Sequence, residues 1–225
     1  ERNDDEIAGY VADADYVVRY GERSRADGGT DLLEPDGKGG WTVIEEVPFE
    51  DYLSTGLAGL TTDGKTLYLR ESRGRDTTAL VAIDTATRNK TVVFEDPRAD
   101  LQEVLVHPET DVAQAAAAEY LREEWKAIDP AIARDLEKID AIGPGTASVA
   151  SRSLDDRIWI VAYSAAEKPA EYYRYDRAVG DGTLTRLFSA RPALEGKPLV
   201  PQWPQEIPSR DGKTLVSYLT LPQEA

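Results

Sequence analysis

Two stretches decide the fold when laid over each other: "TTDGKTLYLRESRGRDTTALVAIDTATRNKTVVF" (61–94) and "SLDDRIWIVAYSAAEKPAEYYRYDRAVGDGTLTRLF" (153–188). Asp63 falls on Asp155 and Asp84 on Asp176, each at an offset of 92. Phe94 falls on Phe188 at an offset of 94, as a two-residue insertion around Gly180-Asp181-Gly182 requires. Each copy reads turn, apolar strand, loop, strand ending in Asp, turn, strand ending in Phe. Half the offset is about 46 residues, close to one four-stranded propeller blade.

Weaker copies extend the series. "ADADYVVRYG" (12–21) echoes a first strand, "GGWTVIEEVPF" (39–49) echoes a last one, and residues 101–128 supply a degenerate middle unit. The repeat predicts an all-β chain: a partial β-propeller of about four four-stranded antiparallel blades, near 7–50, 51–100, 101–145 and 146–204. Asp-Gly turns join neighbouring strands because glycine accepts positive φ without a Cβ clash. "TLYLR" and "RIWIVAY" are apolar on both faces, as a sheet packed between two neighbours requires. Trp41, Trp125 and Trp159 are expected as core aromatics between sheets.

One helix is expected within this series, near 129–142. In "DPAIARDLEKIDAIGPG" (129–145), Asp129 stands as N-cap and Pro130 at the first helical position. Ile132, Leu136 and Ile139 share a face, and Gly143-Pro144 ends it. The preceding "AQAAAAEYLREEW" (113–125) favours helix by propensity, yet the blade spacing demands strands there. Strands are the expectation.

The 225 residues include 42 acids against 26 bases, a net charge of -16. Such a field repels phosphates and anionic lipid, so neither nucleic acid nor membrane is an expected partner. No apolar run approaches the roughly 20 residues that span a bilayer. The chain has no cysteine and therefore no disulfide, thiolate metal site or cysteine nucleophile; compartment stays open between cytoplasm and periplasm. It neither begins with methionine nor contains one, and its acidic start is no signal peptide, so it reads as an excerpt or a processed product of a longer polypeptide.

Catalytic groups are sparse. Ser148 and Ser151, in "GTASVASRS" (145–153), lack the glycine spacing of a G-x-S-x-G nucleophile elbow. The single histidine, His107, precedes a proline and reads as a turn residue. Asp13 and Asp15 lack the remaining spacing of a calcium loop, and "DGKGGW" (36–41) lacks the ending of a phosphate loop. No cofactor or metal is expected. The cluster "LRESRGRD" (69–76) does stand out, since Arg70, Arg73 and Arg75 concentrate positive charge in an acidic chain. Arg73 and Arg75 are the candidate substrate-binding residues, a guanidinium fork for a peptide carboxylate. The competing expectation pairs them with Glu71, Asp76 or acids on adjacent blades.

Several segments resemble the propeller domain of the prolyl oligopeptidase family of serine peptidases, of the bacterial acylaminoacyl-peptidase or dipeptidyl-aminopeptidase type. They are "DGKTLYLRESRGRDTTALVAID" (63–84), "SRSLDDRIWIVAYS" (151–164), "YYRYDR" (172–177), "LFSARPAL" (187–194) and "EIPSRDGKTLVSYLTLP" (206–222). The resemblance implies a non-catalytic propeller that gates access and orients short peptides for an α/β-hydrolase domain of the same polypeptide. Residues 205–225 would be the linker and first strands of that domain, absent from this chain. Four blades are fewer than the seven or so the family implies, so self-association through open blade edges, or a changed curvature, is expected. The rival reading is a free-standing β-propeller acting as a protein- or ligand-binding module. A third is an inactive homologue of the enzyme.

Overall fold

A computed structural model describes residues 3–222 and divides them into two compact units. The first comprises residues 3–102 with 109–112, the second residues 103–108 with the chain from 113 onward.

In the first unit, β1 (Ile7–Ala12), β2 (Val18–Ser24), β3 (Thr30–Pro35) and β4 (Trp41–Val47) form one antiparallel sheet in chain order. A second sheet follows in the same order, β5 (Gly56–Leu60), β6 (Thr66–Glu71), β7 (Ala79–Asp84) and β8 (Lys90–Phe94). The inward residues of both sheets share one core: Tyr20, Leu32 and Val47 pack with Leu67, Leu69, Val81 and Ile83. Leu67 to Leu69 are all buried, which explains the run that is apolar on both faces.

In the second unit, β9 (Leu101–Val106, counted here from Glu103), β10 (Ala113–Glu119) and β11 (Glu123–Ala127) form a three-stranded sheet. Strands were expected over 113–125 against propensity, and strands are what the segment forms. Ala115 to Ala118 are buried, and each pairs in register with β11. The expected four-stranded middle blade is corrected to three. Where a fourth strand would come, the chain makes a 3₁₀ turn (Pro130–Ile132) and then the helix α1 (Ala133–Asp140). Asp129 caps the turn by accepting the Ala131 N–H at 2.9 Å, so the expected N-cap holds while the first turn is tighter than α.

The last full sheet is β12 (Thr146–Arg152), β13 (Ile158–Ala165), β14 (Lys168–Asp176) and β15 (Thr183–Ser189), again antiparallel in chain order. Ile132 of the 3₁₀ turn and Leu136 and Ile139 of α1 are buried against Trp159, Tyr163, Tyr175 and Ala147 of this sheet. Trp159 is fully buried, and Trp125 packs against the same cluster in part. Trp41 is only half-buried and lies over Tyr10 with ring centroids 6.1 Å apart. Beyond it, β16 (Trp203–Pro208) and β17 (Thr214–Leu219) pair only with each other. Trp203, Ile207, Leu215 and Leu219 of this hairpin are exposed.

Three four-stranded antiparallel sheets and the three-stranded one between them, each following the last in chain order, make the chain a partial β-propeller.

Candidate functional site

The arginine cluster lies in the connection from β6 to β7. Gly74, at φ 69°, turns the backbone so that Arg73 and Arg75 flank it. Together with Glu45, Glu71 and Lys90 they line a recess of about 480 Å³ in the first unit, with Val81 and Val92 as its apolar wall.

Arg73 is fully engaged there. Its Nε donates to Glu71 Oε1 at 2.7 Å and its Nη2 to the other oxygen of the same carboxylate, a two-toothed pair. Its Nη1 donates to Glu45 Oε2 at 3.1 Å and to the Glu46 carbonyl at 2.9 Å. The Glu71 bonds outweigh burial and raise the Arg73 guanidinium above its ordinary pKa. Burial alone would push the Glu71 carboxyl up, but the Arg73 bond and charge prevail and lower it. Lys90 Nζ closes the network on Glu45 Oε1 at 2.6 Å.

Arg75 is held more loosely. Its side chain bonds Glu95 through Nη1 alone among the described residues, which leaves Nε and Nη2 as donors. The two arginines thus share a recess but differ in role: one is an anchor between strands, the other presents donors.

The remaining candidates do not converge. Ser148 and Ser151 lie on β12, in register with Ala162 and Ile160; the ladder slips by one residue between Val149 and Ser151, but neither serine stands on a sharp strand-to-helix turn. His107 follows β9 directly and is half-buried. Asp13 is occupied by its own turn, accepting Asp15 N–H and Val17 N–H at 3.0 Å and Arg19 Nε at 2.6 Å.

A second polar centre escaped sequence reasoning. Asp156 accepts from Arg152 Nη1 at 2.8 Å, from Trp159 Nε1 at 2.8 Å and from Arg177 Nη1. The two guanidinium groups lie 5.3 and 4.9 Å from the Trp159 ring centroid. Arg177 continues to Asp135 on α1 at 3.0 Å, and Tyr175 Oη donates to the same carboxylate at 2.8 Å. Burial lowers the Arg152 pKa from its ordinary value, the mark of a charge drawn into the interior. This centre fastens α1 to the sheet. Apart from Asp135, its residues sit in the "RSLDDRIW" (152–159) and "YDR" (175–177) segments, where a charged pair beside a tryptophan was the available signal.

The second unit also carries a recess of about 760 Å³, bordered by Leu121, Pro144, Ala165, Pro201, Pro204 and Tyr218. Tyr218 Oη reaches the Leu121 carbonyl at 3.3 Å, which ties the β16–β17 hairpin to the turn after β10.

Comparison with solved structures identifies the fold. A prolyl endopeptidase structure aligns with 97% of this chain and 40% of its own, at TM-score 0.51 and 14% identity. Prolyl oligopeptidase B from Galerina marginata aligns with 93% of this chain and 30% of its own, at TM-score 0.56 and 15% identity. At such identities the likeness is one of fold. No family model matches the chain. Among curated proteins, dipeptidyl aminopeptidase BIII of Pseudoxanthomonas mexicana is 62% identical over all 225 residues, which span 32% of that protein. Dipeptidyl peptidase family member 6 of Caenorhabditis elegans is 29% identical over 139 residues, 61% of this chain and 18% of its own. The chain is a propeller segment of the prolyl oligopeptidase family of peptidases. It spans about a third of the curated relative that it matches throughout.

Proposed function

We propose that this segment is the non-catalytic propeller part of a serine peptidase, limiting access to the active site and orienting short peptides for an α/β-hydrolase domain of the same polypeptide. The observation that carries the reading is the 62% identity, along the whole chain, to a dipeptidyl aminopeptidase. In this reading residues 1–204 belong to the propeller and residues 205–225 lead into the hydrolase domain. The β16–β17 hairpin supports that division, since it pairs with no blade and holds apolar side chains out to solvent.

The arginine recess fits substrate orientation with divided roles. Arg73 positions Glu71 and Glu45, while Arg75 offers its two remaining donors to a peptide carboxylate or carbonyl. Steady-state kinetics on the full-length polypeptide test both levels. Cleavage of short peptides, with fluorophosphonate labelling outside residues 1–225, is the expected result; a full-length protein that cleaves none ends the peptidase reading. Arg75→Ala should raise KM roughly ten-fold with kcat little changed, as loss of one charged hydrogen bond does. An unchanged KM removes Arg75 from the site and leaves the peptidase reading standing.

A further inference from the structure

Arg70, Leu80 and Phe94 form a row across the second sheet, each paired in register with the next. Ala162, Tyr172 and Phe188 form the equivalent row across the last full sheet, and in both the ladder slips by one residue beside the phenylalanine. The fates of the two rows differ. Leu80 is wholly buried and Phe94 is 6% exposed, whereas Tyr172 is half-buried and Phe188 is 53% exposed. Within the first unit, the chain leaving β8 returns to the side of Arg70, which donates to the Leu101 and Gln102 carbonyls. In the second unit, the chain leaving β15 makes a 3₁₀ turn (Pro192–Leu194) and leaves the row bare.

The bare face is built as an interior one. Trp159, Val161, Tyr163 and Tyr175 point to the core on the α1 side. Ile160, Ala162 and Tyr172 alternate onto the opposite side, where the Tyr172 and Phe188 rings stack with centroids 4.9 Å apart. We propose that this face receives a further antiparallel sheet of the same polypeptide, encoded ahead of residue 1, with its apolar side laid over Tyr172 and Phe188. In a closed propeller each sheet packs on the next in chain order, and the last returns to the first. The β16–β17 hairpin follows the last full sheet but pairs only with itself, so the returning sheet is the propeller's first. The 225 residues span 32% of the relative they match throughout, so most of such a polypeptide lies outside them. In the first unit, Tyr10 and Val43 are also exposed, on the side of the first sheet away from its core, as an end that takes another sheet requires. The inference goes beyond the peptidase reading and does not depend on it.

Hydroxyl-radical footprinting of the full-length protein reads the cover directly. Phe94 supplies the buried rate, and the same protein unfolded in urea supplies the free rate. Phe188 should label at the Phe94 rate, unchanged on dilution. Labelling at the unfolded rate, or protection that fades on dilution as a second copy would give, overturns the proposal. Photo-crosslinking from Phe188→p-benzoylphenylalanine in the full-length protein then names the occupant. A link to a residue ahead of residue 1 is the expected product; a link to the chain beyond residue 204, or to a second copy, refutes the assignment. Peptide turnover by the unmodified protein decides the peptidase reading separately.

Discussion

Asp63 and Asp155 occupy the same place in two copies of one turn, one before β6 and the other before β13. Asp63 Oδ1 accepts the Lys65 N–H at 3.1 Å and the Thr61 hydroxyl at 2.8 Å. Asp155 Oδ1 accepts the Arg157 N–H at 3.2 Å and the Ser153 hydroxyl. Each hydroxyl in turn accepts an N–H five residues on, from Thr66 at 3.0 Å and from Ile158 at 2.9 Å. Asp211 repeats the pattern in the β16–β17 hairpin, accepting the Lys213 N–H at 3.2 Å. The carboxylates of Asp63 and Asp155 are lowered in pKa, chiefly by the Lys65 amide in one and the Ser153 hydroxyl in the other; Asp63 falls to about 2. A side chain that satisfies the turn's own backbone is what makes the motif repeatable.

The residue after the aspartate must be left-handed, φ 72° at Gly64 and 53° at Asp156. A Cβ at Gly64 meets nothing within 4 Å, so Gly64→Ala isolates the backbone cost. Urea denaturation should show a loss of about 1–2 kcal/mol.

Asp156 tolerates the same conformation because its carboxylate holds Arg152 and Arg177. Asp156→Asn keeps the shape and leaves Arg152, whose side chain is 5% exposed, without its counter-charge. The expected loss is about 3–5 kcal/mol, measured by the same denaturation.

Glu171 receives Lys168 at 2.6 Å, Arg186 at 2.8 Å and Tyr173 at 3.0 Å. The Lys168 bond leads in lowering its carboxyl to about 2. A folded pKa below the unfolded one adds stability above the unfolded value, and that contribution disappears as pH falls toward 2. The stability gap between wild type and Glu171→Gln should therefore be largest near pH 6 and close on acidification. A gap that stays constant across that range refutes the assignment.

Gly182, at φ 89°, lies so close to Tyr175 that a Cβ would stand 2.0 Å from its hydroxyl. Gly182→Ala should cost more than Gly64→Ala, because it adds a collision to the backbone strain and displaces Tyr175 from Asp135. Near-ultraviolet circular dichroism should report the loosened tyrosine.

The repeat was legible because its turns are local: Asp63, Asp84, Asp155 and Asp176 each bond a backbone amide within three residues. The helix was legible for the same reason, with cap, proline and apolar face all inside 129–145. The missing fourth strand was not, since nothing in residues 101–128 marks where pairing ends. Nor was the division between Arg73 and Arg75. Which arginine is engaged depends on Glu45, 28 residues from Arg73, and on Glu95, 20 residues from Arg75.

The strand β10 is spelled almost wholly in alanine, the residue that most readily winds into a helix. Ala115 to Ala118 lie flat because the long-range ladder outvotes their own inclination. As the polypeptide emerges from the ribosome, this stretch is therefore free to coil before its sheet exists, and must be straightened when β11 arrives. A peptide of residues 112–128 alone should show helical circular dichroism, a shape the finished molecule never displays there.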